Sequence, residues 1–385
     1  MKVNGTKVGM LGGGQLGKMM ALAAHNWDLE TWALDGSKSF PAGSAVSHFV
    51  EGNFKNFDDV YAFGKQVDVL TIEIEHVNTG ALLKLEAEGL PVHPSPTALN
   101  TIKDKGLQKQ FYKKHRLPTA PFTLFGSGEA IKKAIAAGEL KYPFVQKSRE
   151  AGYDGKGVAL IQSESDLGLV IPAPSMVEDL VDIETEIAVI VARNGQGEIK
   201  AYPPVAMQFN PQANLVEFLI CPAGLDKKIA QQAEEMAVAA IGAYGICGLL
   251  AVELFLTKNG ELLINEVAPR PHNSGHHTID SCYTSQYEQH LRGILGLPLG
   301  STKMKTASVM VNLLGEPGHT GPVRYEGLEK CLKMEGIKVH LYGKETTKPF
   351  RKMGHVTVLD KEVEKAKTKA QKVKQLLKVK ANRPL

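Results

Sequence analysis

The chain has 385 residues, of which 43% are hydrophobic and 22% charged, with a formal net charge of +4, as expected of a globular protein with two or three domains. It contains no run of about 18 apolar residues and no apolar leader after Met1, so the sequence predicts neither a membrane span nor secretion. The four cysteines form no C-x-x-C pair, which argues against a zinc site or a disulfide framework and favours reduced thiols in the cytoplasm.

The first hundred residues alternate between predicted strands and helices. Strands are predicted at residues 7–11, 29–34 and 67–74, and a helix begins at Gly17 and runs to about residue 24. Such a βαβ series predicts a parallel sheet with helices on its faces. The proline-rich segment 91–96 follows, and it predicts that an N-terminal α/β domain ends at residue 96.

A glycine-rich turn, G-G-G-Q-L-G at residues 12–17, lies between the first strand and the first helix. It matches G-x-G-x-x-G, in which glycines let a phosphate approach the backbone and the helix N-terminus supplies N–H donors. Asp35 ends the second strand, near the place where a dinucleotide-binding enzyme keeps its ribose-binding acid. Alone, the motif favours an NAD-dependent dehydrogenase, but the same turn binds other phosphorylated ligands and is purely structural in some proteins.

A second glycine-rich segment lies between two predicted strands, at residues 142–146 and 158–161. It follows a predicted helix at 96–115 and belongs to a small α/β unit at 122–176. Its sequence, K-S-R-E-A-G-Y-D-G-K-G at 147–157, predicts a basic hairpin tip whose N–H groups and lysines bind polyphosphate, with Lys147 reaching an α- or β-phosphate. The alternative is a solvent-exposed hairpin loop.

A larger α+β unit is predicted from residue 181 to 385, after a lid unit with its linker helix at 97–180. Its strands lie near residues 185–192, 249–256 and 261–267, with a helix at 227–244. Asn259 and Gly260 form the strongest signal for a two-residue hairpin turn. Such a turn places Glu253 opposite Glu266, with their Cβ atoms about 5 Å apart.

These opposed glutamates predict a metal site. Like charges at this separation destabilise a sheet, and the apolar neighbours limit relief by solvent. A magnesium ion between Glu253 and Glu266 would resolve the conflict, because Mg²⁺ prefers carboxylate and phosphate oxygens. The adjacent Asn265 would orient a phosphate or the metal shell. The alternatives are that one glutamate is protonated or that the hairpin register is slipped.

The segment M-V-E-D-L-V at residues 176–181 ends a strand between the two units. Here Glu178 could accept a hydrogen bond from an exocyclic amine, while backbone groups of Leu180 and Val181 contact the ring edge. Glu186 could hold ribose hydroxyls. Acidic residues in a linker are more often simply solvated, so the residues alone leave both interpretations open.

The end of the chain is basic, with nine basic and two acidic residues in 361–385. Such a tail could indicate nucleic acid or an acidic membrane surface as a partner. However, apolar side chains recur there at alternating spacings of three and four residues: Val363, Ala366, Ala370, Val373 and Leu377. This pattern predicts one apolar face of a docked helix with lysines on its solvated side, so neither nucleic acid nor membrane is expected as a partner.

The most specific motif is N-E-V-A-P-R-P-H-N-S-G-H-H-T-I-D at residues 265–280, followed by T-S-Q-Y-E-Q-H at 284–290. With these runs the chain closely resembles, over essentially its whole length, the N5-carboxyaminoimidazole ribonucleotide synthetase family, the ATPase subunit of phosphoribosylaminoimidazole carboxylase. Further matching motifs lie at residues 12–17, 73–75, 147–157, 178–181, 339–344 and 351–355. The resemblance implies an ATP-grasp fold, with a Rossmann-like parallel-sheet N-terminal domain, a small lid domain and a C-terminal domain.

The resemblance also implies a reaction. Bicarbonate and ATP would give carboxyphosphate, which carboxylates the exocyclic amine of aminoimidazole ribonucleotide, with Mg²⁺ as the metal. The first glycine loop would then bind the phosphoribosyl part of the substrate rather than NAD, and the tip at 155–157 would be the lid. A homodimer and a separate mutase that receives the product are expected from the family alone.

The resemblance implies three overlapping sets of site residues. Nucleotide contacts are implied for Lys105, Lys147, Gly152, Tyr153, Gly155, Lys156, Gly157, Glu178, Asp179, Leu180, Val181, Glu186, Gln208, Asn265 and Glu266. The ribonucleotide pocket would contain Gln15, Leu16, Glu75, Tyr153, Asp154, Arg270, His272, Asn273, Lys344, Arg351 and Lys352. A direct part in the reaction is implied for Asp154, Arg270 and Lys352, and magnesium ligation for Glu253 and Glu266.

Three positions depart from the family pattern. Lys105 stands where the family usually has an arginine, which keeps the charge but loses the bidentate fork. Ala151 replaces a usual lid glycine, and A-M-Q-F at 206–209 replaces a polar run near the nucleotide. Gln208 is the nearest substitute for the residue that normally ends that run.

Two other enzyme classes remain as alternatives. Another ATP-grasp ligase acting on a phosphoribosyl amine shares every nucleotide feature and differs only in the pocket run at 270–277. An NAD-dependent dehydrogenase would leave Glu253, Glu266 and the second glycine loop unexplained.

Overall fold

The computed structural model describes residues 3–150, 157–210 and 215–382. Part of the predicted lid lies outside these ranges: Ala151, Gly152, Tyr153, Asp154, Gly155 and Lys156. None of the helices in the described ranges is both long enough and apolar enough to cross a membrane.

The N-terminal unit is a parallel sheet, as predicted. Its strands are β1 (Lys7–Leu11), β2 (Glu30–Asp35), β3 (His48–Glu51), β4 (Val69–Ile72) and β5 (Val92–His93), in the order β3-β2-β1-β4-β5. Its helices are α1 (Gln15–Ala24), α2 (Phe57–Gly64) and α3 (Thr79–Ala87). Asn56 and Asn78 start α2 and α3, because each side chain accepts a backbone N–H of the first turn. Because β1, β2 and β4 run parallel, the loops that follow them meet at one edge of the sheet.

The helix predicted at 96–115 is wrong as a single element, because two helices occupy this region. They are α4 (Pro96–Lys103) and α5 (Lys105–Lys114), separated by Asp104 in an extended conformation. The Asp104 carboxylate accepts the backbone N–H groups of Gly106 and Leu107 at 2.8 and 3.2 Å and forms an ion pair with Arg149. Asp104 thus begins a new helix and ties it to the next unit.

A four-stranded antiparallel sheet follows. Its strands are β6 (Phe122–Phe125), β7 (Phe144–Ser148), β8 (Val158–Ile161) and β9 (Ser175–Asp179), in the order β6-β9-β7-β8, with helix α6 (Gly128–Ala136). The predicted hairpin is confirmed, since β7 and β8 pair antiparallel from Phe144 with Ile161 to Lys147 with Val158. The glycine-rich segment therefore joins two adjacent strands.

The largest unit is built on a nine-stranded sheet. The strands up to residue 314 are β10 (Ile183–Arg193), β11 (Ile199–Ala201), β12 (Val205–Asn210), β13 (Leu215–Cys221), β14 (Gly248–Thr257), β15 (Leu262–Ala268) and β16 (Ala307–Leu314). The later strands are β17 (Gly321–Glu326), β18 (Ile337–Leu341), β19 (Thr346–Thr347), β20 (Lys352–Asp360) and β21 (Lys378–Ala381). The main order is β15-β14-β10-β12-β13-β16-β20-β18, while β11 pairs with β10 and β19-β17-β21 form a small separate sheet.

The helices of this unit are α7 (Lys227–Tyr244), α8 (Thr278–Ser281), α9 (Gln286–Ile294), α10 (Leu328–Leu332) and α11 (Val363–Leu376). The long helices α7 and α11 cover the same face of the nine-stranded sheet, because their core contacts Ile187, Ile220 and Val309 belong to one cross-strand row. The docked C-terminal helix is confirmed, with Ala366, Ala370 and Val373 fully buried. The opposite face carries the glutamates Glu186 and Glu253 beside smaller apolar clusters.

The three large sheets use residues 7–93, 122–179 and 183–360. Domain boundaries at residues 96 and 180 remain a prediction. Short 3₁₀ turns occur at His25–Trp27, Pro41–Ser44, Glu164–Leu169 and Asn273–Gly275.

Candidate active site

Glu253 and Glu266 are register partners in β14 and β15. Glu186 lies near them, because its strand pairs Ala188 with Glu253 and residues two apart share a face. Burial and the charges of Glu266 and Glu186 raise the pKa of Glu253 to about 8. Burial alone would also raise the pKa of Glu266, but the adjacent Lys105 ammonium lowers it.

This donor set fits a magnesium ion. Glu253 and Glu266 supply oxygen ligands side by side, and the repulsion that raises the pKa of Glu253 is what a divalent cation would relieve. No group of three or more histidine, cysteine or acidic side chains is arranged for a metal within the described ranges. A cation held here would therefore take its remaining ligands from phosphate oxygens and water, which is how Mg²⁺ is usually bound.

The turn between β14 and β15 differs from the prediction. Thr257 and Glu261 are joined by a backbone hydrogen bond of 2.9 Å, so the loop has three residues and ends on Gly260 at φ +80°. This loop alone would bring Asn265, not Glu266, opposite Glu253. Instead the pairing shifts by one residue between Ile264 and Glu266, so that Asn265 is an extra residue, a β-bulge.

Next to the glutamates lies a buried cluster of charges centred on Glu178. Its two carboxylate oxygens contact two different lysines, Lys109 at 2.5 Å and Lys147 at 2.7 Å. These lysines lower the pKa of Glu178 although burial opposes them. Lys147 also donates to Oδ1 of Asn265 at 2.8 Å. The structure thus brings the predicted residues Lys147, Glu178 and Asn265 together, and the solvated alternative for Glu178 is wrong.

Strand β9 ends at Asp179, and a short connector with Leu180 and Val181 follows; Asp179 and Leu180 are exposed. The connector leads directly into β10, where Glu186 is half-buried and lies close enough to Lys147 for the lysine charge to oppose the rise in its pKa that burial causes. The connector therefore lies beside the Glu178 cluster, at the junction of the two sheets.

Gln208 is not brought to this cluster. Its neighbour Met207 pairs with Glu186, so the Met207 side chain lies on the same face as the glutamates. Because successive side chains in a strand point to opposite faces, Gln208 lies on the other face, where it is exposed. The structure therefore does not bring Gln208 to the face of the sheet on which the glutamates lie.

The end of the second glycine loop is described only at Gly157. This residue has φ +74°, and its carbonyl accepts the backbone N–H of Ser148 at 2.8 Å, which closes the hairpin next to Lys147. The predicted contacts at Gly152, Tyr153, Asp154, Gly155 and Lys156 lie outside the described residues.

A polar pocket adjoins the other side of Glu253. Nη2 of Arg270 contacts Oε1 of Glu75 at 2.7 Å, which joins the loop after β15 to the loop after β4. Nε2 of His272 lies 3.5 Å from Oε1 of Glu253. Gln286 was not predicted as a site residue, but its buried amide exchanges two hydrogen bonds with the His272 backbone at 2.9 and 2.8 Å. It thereby fixes the loop from Arg270 to His272.

Asn273 is positioned by Asn312, a second residue that was not predicted as part of the site. The amide groups of Asn273 and Asn312 exchange two hydrogen bonds of 2.9 Å. Asn312 lies in β16 on the face of the sheet opposite to α11. Asn312 belongs to none of the motifs, and Gln286 lies within the run 284–290 without having been assigned to the site. The roles of both residues depend on strand and helix neighbours far away in sequence.

Lys344 and Lys352 are adjacent, since Nζ of Lys344 donates to the Lys352 carbonyl at 2.8 Å. The Lys352 charge acts on Glu253, which places Lys352 near the acidic pair. Lys352 precedes a second irregularity in strand pairing, where the register between β16 and β20 shifts by one residue. Arg351, in contrast, donates to the carbonyl and hydroxyl of Thr346 at 2.7 and 3.1 Å.

Gln15 and Leu16 begin α1. The same helix reaches the end of β18 through Lys18, whose Nζ donates to the Tyr342 carbonyl at 3.2 Å. Gln15 and Leu16 are therefore held on the side of the Lys344 loop.

The first glycine loop uses its own amides within the protein. Glu73 accepts the N–H groups of Gly14 and Gly17 at 2.9 and 3.1 Å, and Asp35 accepts that of Gly13 at 2.7 Å. These are the donors that a dinucleotide pyrophosphate would need. These N–H groups already donate to the carboxylates of Glu73 and Asp35. The dehydrogenase alternative required Asp35 to contact a ribose, whereas Asp35 here accepts a hydrogen bond from Gly13.

Taken together, these residues form a continuous site. A lysine-rich end contains Lys147 and Glu178, the acidic pair Glu253 and Glu266 lies in the middle, and the pocket around Arg270 lies beyond. Such an order suits transfer of a phosphoryl group from a nucleotide to an acceptor.

Comparison with known proteins identifies three consecutive regions. Residues 5–103 match the family model described as a ribonucleotide synthetase preATP-grasp domain, and residues 110–287 match the ATP-grasp domain. Residues 308–369 match the phosphoribosylaminoimidazole carboxylase C-terminal domain.

Individual proteins give the same result. The chain is 35% identical to the N5-carboxyaminoimidazole ribonucleotide synthase of Bacillus subtilis, with 92% of each chain covered. The solved N5-carboxyaminoimidazole ribonucleotide synthetase from Thermotoga maritima is 43% identical, with a TM-score of 0.90 over 98% of this chain and 100% of that one. The Aspergillus clavatus enzyme, solved in complex with ADP and 5-aminoimidazole ribonucleotide, is 33% identical with a TM-score of 0.88, over 97% of this chain and 98% of that one.

The chain also matches fungal and plant phosphoribosylaminoimidazole carboxylases at 37–39% identity. It spans 63–65% of the length of these relatives.

Proposed function

Because the chain belongs to the N5-carboxyaminoimidazole ribonucleotide synthase family of ATP-grasp enzymes, we propose that it carboxylates 5-aminoimidazole ribonucleotide with ATP and bicarbonate. The product is N5-carboxyaminoimidazole ribonucleotide, an intermediate of purine biosynthesis. Its relatives support this substrate, among them the Aspergillus clavatus enzyme solved with ADP and the ribonucleotide.

One observation carries the proposal. Glu253 faces Glu266 and lies 3.5 Å from His272, while Glu266 contacts Lys105. The acidic pair therefore adjoins both the lysine-rich end of the site and the pocket that contains Arg270. A phosphoryl group bound at this pair would have its nucleotide on one side and its acceptor on the other.

The chemistry needs such an arrangement, because bicarbonate is a poor electrophile at neutral pH. Phosphorylation by ATP gives it a leaving group, and the resulting carboxyphosphate reacts with the exocyclic amine. Magnesium, when bound by Glu253 and Glu266, would neutralise charge on the transferred phosphoryl group. Lys105 and Lys147 lie beside this pair, where their charges suit the nucleotide phosphates.

The pocket residues would hold the ribonucleotide. Glu75 holds Arg270 in the pocket, and Lys352 supplies positive charge next to Glu253, where bicarbonate and the developing carboxylate need it. Lys344 and Arg351 are cations suited to the substrate phosphate, and Gln15 and Leu16 would contact the ribotide. Carboxyphosphate reacts with water, so the 147–157 hairpin would act as a lid that excludes solvent.

We further propose three domains divided near residues 96 and 180, a homodimer, and transfer of the product to a separate mutase. A cytoplasmic location is supported by the four cysteines, none of which forms a disulfide in the described residues.

The direct test is phosphate release from ATP in bicarbonate buffer, measured with and without the ribonucleotide and with and without Mg²⁺. The proposal predicts release that needs both additions. Turnover with a different phosphoribosyl amine, and none with aminoimidazole ribonucleotide, would replace this substrate by that of another ATP-grasp ligase.

A further inference from the structure

Lys109 is the one fully buried lysine among the described residues, with 2% of its side chain exposed. It lies one helical turn after Lys105 on α5, so the two side chains share a face of the helix. Burying an ammonium group is costly unless it is paired. The contacts that retain Lys109 in the interior therefore indicate what it does.

The first contact joins Lys109 to the lid unit. Its Nζ lies 2.5 Å from Oε1 of Glu178, while Nζ of Lys147 lies 2.7 Å from Oε2 of the same carboxylate. Each lysine thus holds one oxygen. Burial and the charges of Lys147 and Lys105 lower the pKa of Lys109 to about 8, although Glu178 opposes them.

The second contact joins Lys109 to the largest unit. Its Nζ donates to the Ile264 carbonyl at 3.3 Å and to the hydroxyl of Thr119. The Thr119 hydroxyl in turn donates to the Ile264 carbonyl at 2.7 Å. Ile264 immediately precedes the bulge residue Asn265, so Lys109 anchors the strand where the bulge begins.

Without Lys109, Lys147 would be the only cation in direct contact with the Glu178 carboxylate among the residues that the structure describes. Lys147 alone would then compensate the negative charge of Glu178, and its attraction for a phosphate would be weaker. The Ile264 carbonyl would also lose a donor. The first effect acts on Lys147 and the second on the strand that carries Asn265, the residue next to Ile264; both Lys147 and Asn265 are proposed to contact the nucleotide.

We propose that Lys109 is a positioning residue for the nucleotide phosphates. It neutralises Glu178, so that Lys147 keeps its charge for the phosphates, and it fixes the strand segment from which Asn265 and Glu266 project. The inference rests on the proposed function, because it requires a nucleotide in this site.

If Lys109 had only a structural role, its replacement would have different effects on stability and on phosphate affinity. Its loss would lower the stability of the protein but would leave phosphate affinity unrelated to Lys147. A double-mutant cycle separates the two cases, because residues that act through one another show non-additive effects.

The experiment measures ADP affinity by calorimetry in the full chain, for Lys109→Met, Lys147→Met and the double variant. We expect Lys109→Met to weaken ADP binding about 10- to 100-fold, the range for residues that orient a ligand-binding group. In the Lys147→Met background the same change should cost at least about threefold less than in the wild type, because only the anchoring of the strand at Ile264 is then lost. Lys113→Met, an exposed lysine of the same helix, is the matched control and should bind ADP like the wild type.

Unchanged ADP affinity in Lys109→Met, or an equal loss with and without Lys147, would overturn the positioning role. Circular dichroism checks that each variant is folded. If Lys109→Met does not fold, Lys109→Gln replaces it under the same criteria, since an amide can donate to Ile264 but cannot neutralise Glu178. Wild-type protein that binds ADP without carboxylating the ribonucleotide would refute the proposed function alone, and wild-type protein that binds no ADP would refute both.

Discussion

Glu253 and Glu266 lie directly opposite one another across the β14–β15 hairpin, and the bulge at Asn265 brings them there. The three-residue loop sets a register in which Asn265 would face Glu253, and the extra residue moves Glu266 into that place. A bulge turns neighbouring side chains toward the same side of a sheet. Asn265 can therefore contact Lys147 while Glu266 contacts Lys105.

This pair should determine the metal dependence of the enzyme. Replacing Glu253 or Glu266 by glutamine removes one charged oxygen ligand, so we expect the rate of ATP turnover to fall by at least about 100-fold, since residues that only support metal ligands typically cost about 10- to 100-fold. A higher Mg²⁺ concentration should restore part of the rate. Titration of Mg²⁺ at fixed ATP measures this. Glu261→Gln, an exposed glutamate of the same hairpin, is the control, and an unchanged Mg²⁺ dependence in both site variants would contradict the metal assignment.

The contact between Glu75 and Arg270 should control the ribonucleotide rather than ATP. Glu75→Gln leaves Arg270 without its 2.7 Å carboxylate contact, and loss of one member of such a pair costs about 2 kcal/mol or more, equivalent to about 30-fold. We expect the KM for aminoimidazole ribonucleotide to rise by that factor while the KM for ATP changes less than about threefold. Steady-state kinetics with each substrate varied gives both values. Glu86→Gln, on an exposed helix surface, should leave both unchanged, and an equal rise in both constants for Glu75→Gln would count against a pocket role.

The carboxylate within the first glycine loop should matter for stability. Glu73→Gln keeps one oxygen acceptor but replaces the other by an N–H₂ group, which cannot accept the Gly14 or Gly17 N–H. An unsatisfied backbone donor costs about 1–3 kcal/mol, so urea unfolding should show a decrease of that size. NAD should not bind to either form. Measurable NAD affinity of the wild type would revive the dehydrogenase alternative.

Stability should fall in mild acid because buried histidines resist protonation. His290 accepts the Leu249 N–H through Nδ1 at 3.2 Å and contacts the Thr71 hydroxyl through Nε2 at 2.9 Å. Burial lowers its pKa from 6.5 to about 3. Between pH 6.5 and pH 3 the imidazole is therefore protonated in the unfolded chain but neutral in the folded chain. The free energy of unfolding consequently decreases as the pH falls from 6.5 toward 3.

For His290 alone the loss between pH 6.5 and pH 5 is about 2 kcal/mol. Denaturant unfolding of wild type and His290→Gln at several pH values measures it. We expect the pH slope of the variant to be smaller by up to about one proton. His48→Gln, an exposed histidine, should retain the wild-type slope. If His290→Gln also retained that slope, the assignment of this proton to His290 would be wrong.

The sequence predicted the elements well where a local pattern determines them. The strand β8 and the helix α7 have the predicted bounds, and the hairpin pair of glutamates is correct. The three-residue loop and the bulge at Asn265, which together bring these glutamates opposite each other, were not predicted. Asn259-Gly260 also fits a three-residue loop, and the bulge depends on tertiary contacts. Ile264 donates its N–H to the Pro118 carbonyl, far away in sequence.

Other predictions were wrong for the same physical reason, because they depend on contacts between residues far apart in sequence. The break at Asp104 depends partly on Arg149, and the burial of Glu178 depends on Lys109 and Lys147 from two other elements. On a helix, Lys109 has the pattern of a solvated residue, since charged side chains are mostly exposed. Gln208 lies on the other face of the sheet from the glutamates, because a one-residue difference in a strand reverses the face.

The most direct measurement of the central claim follows oxygen from bicarbonate to phosphate. In the proposed reaction a bicarbonate oxygen attacks the γ-phosphorus of ATP, and that oxygen leaves with the phosphate when the amine attacks the carboxyl carbon. With ¹⁸O-labelled bicarbonate, unlabelled ATP and aminoimidazole ribonucleotide, mass spectrometry should find one ¹⁸O atom in each inorganic phosphate released. Phosphate without ¹⁸O, formed together with carboxylated product, would contradict the route through carboxyphosphate.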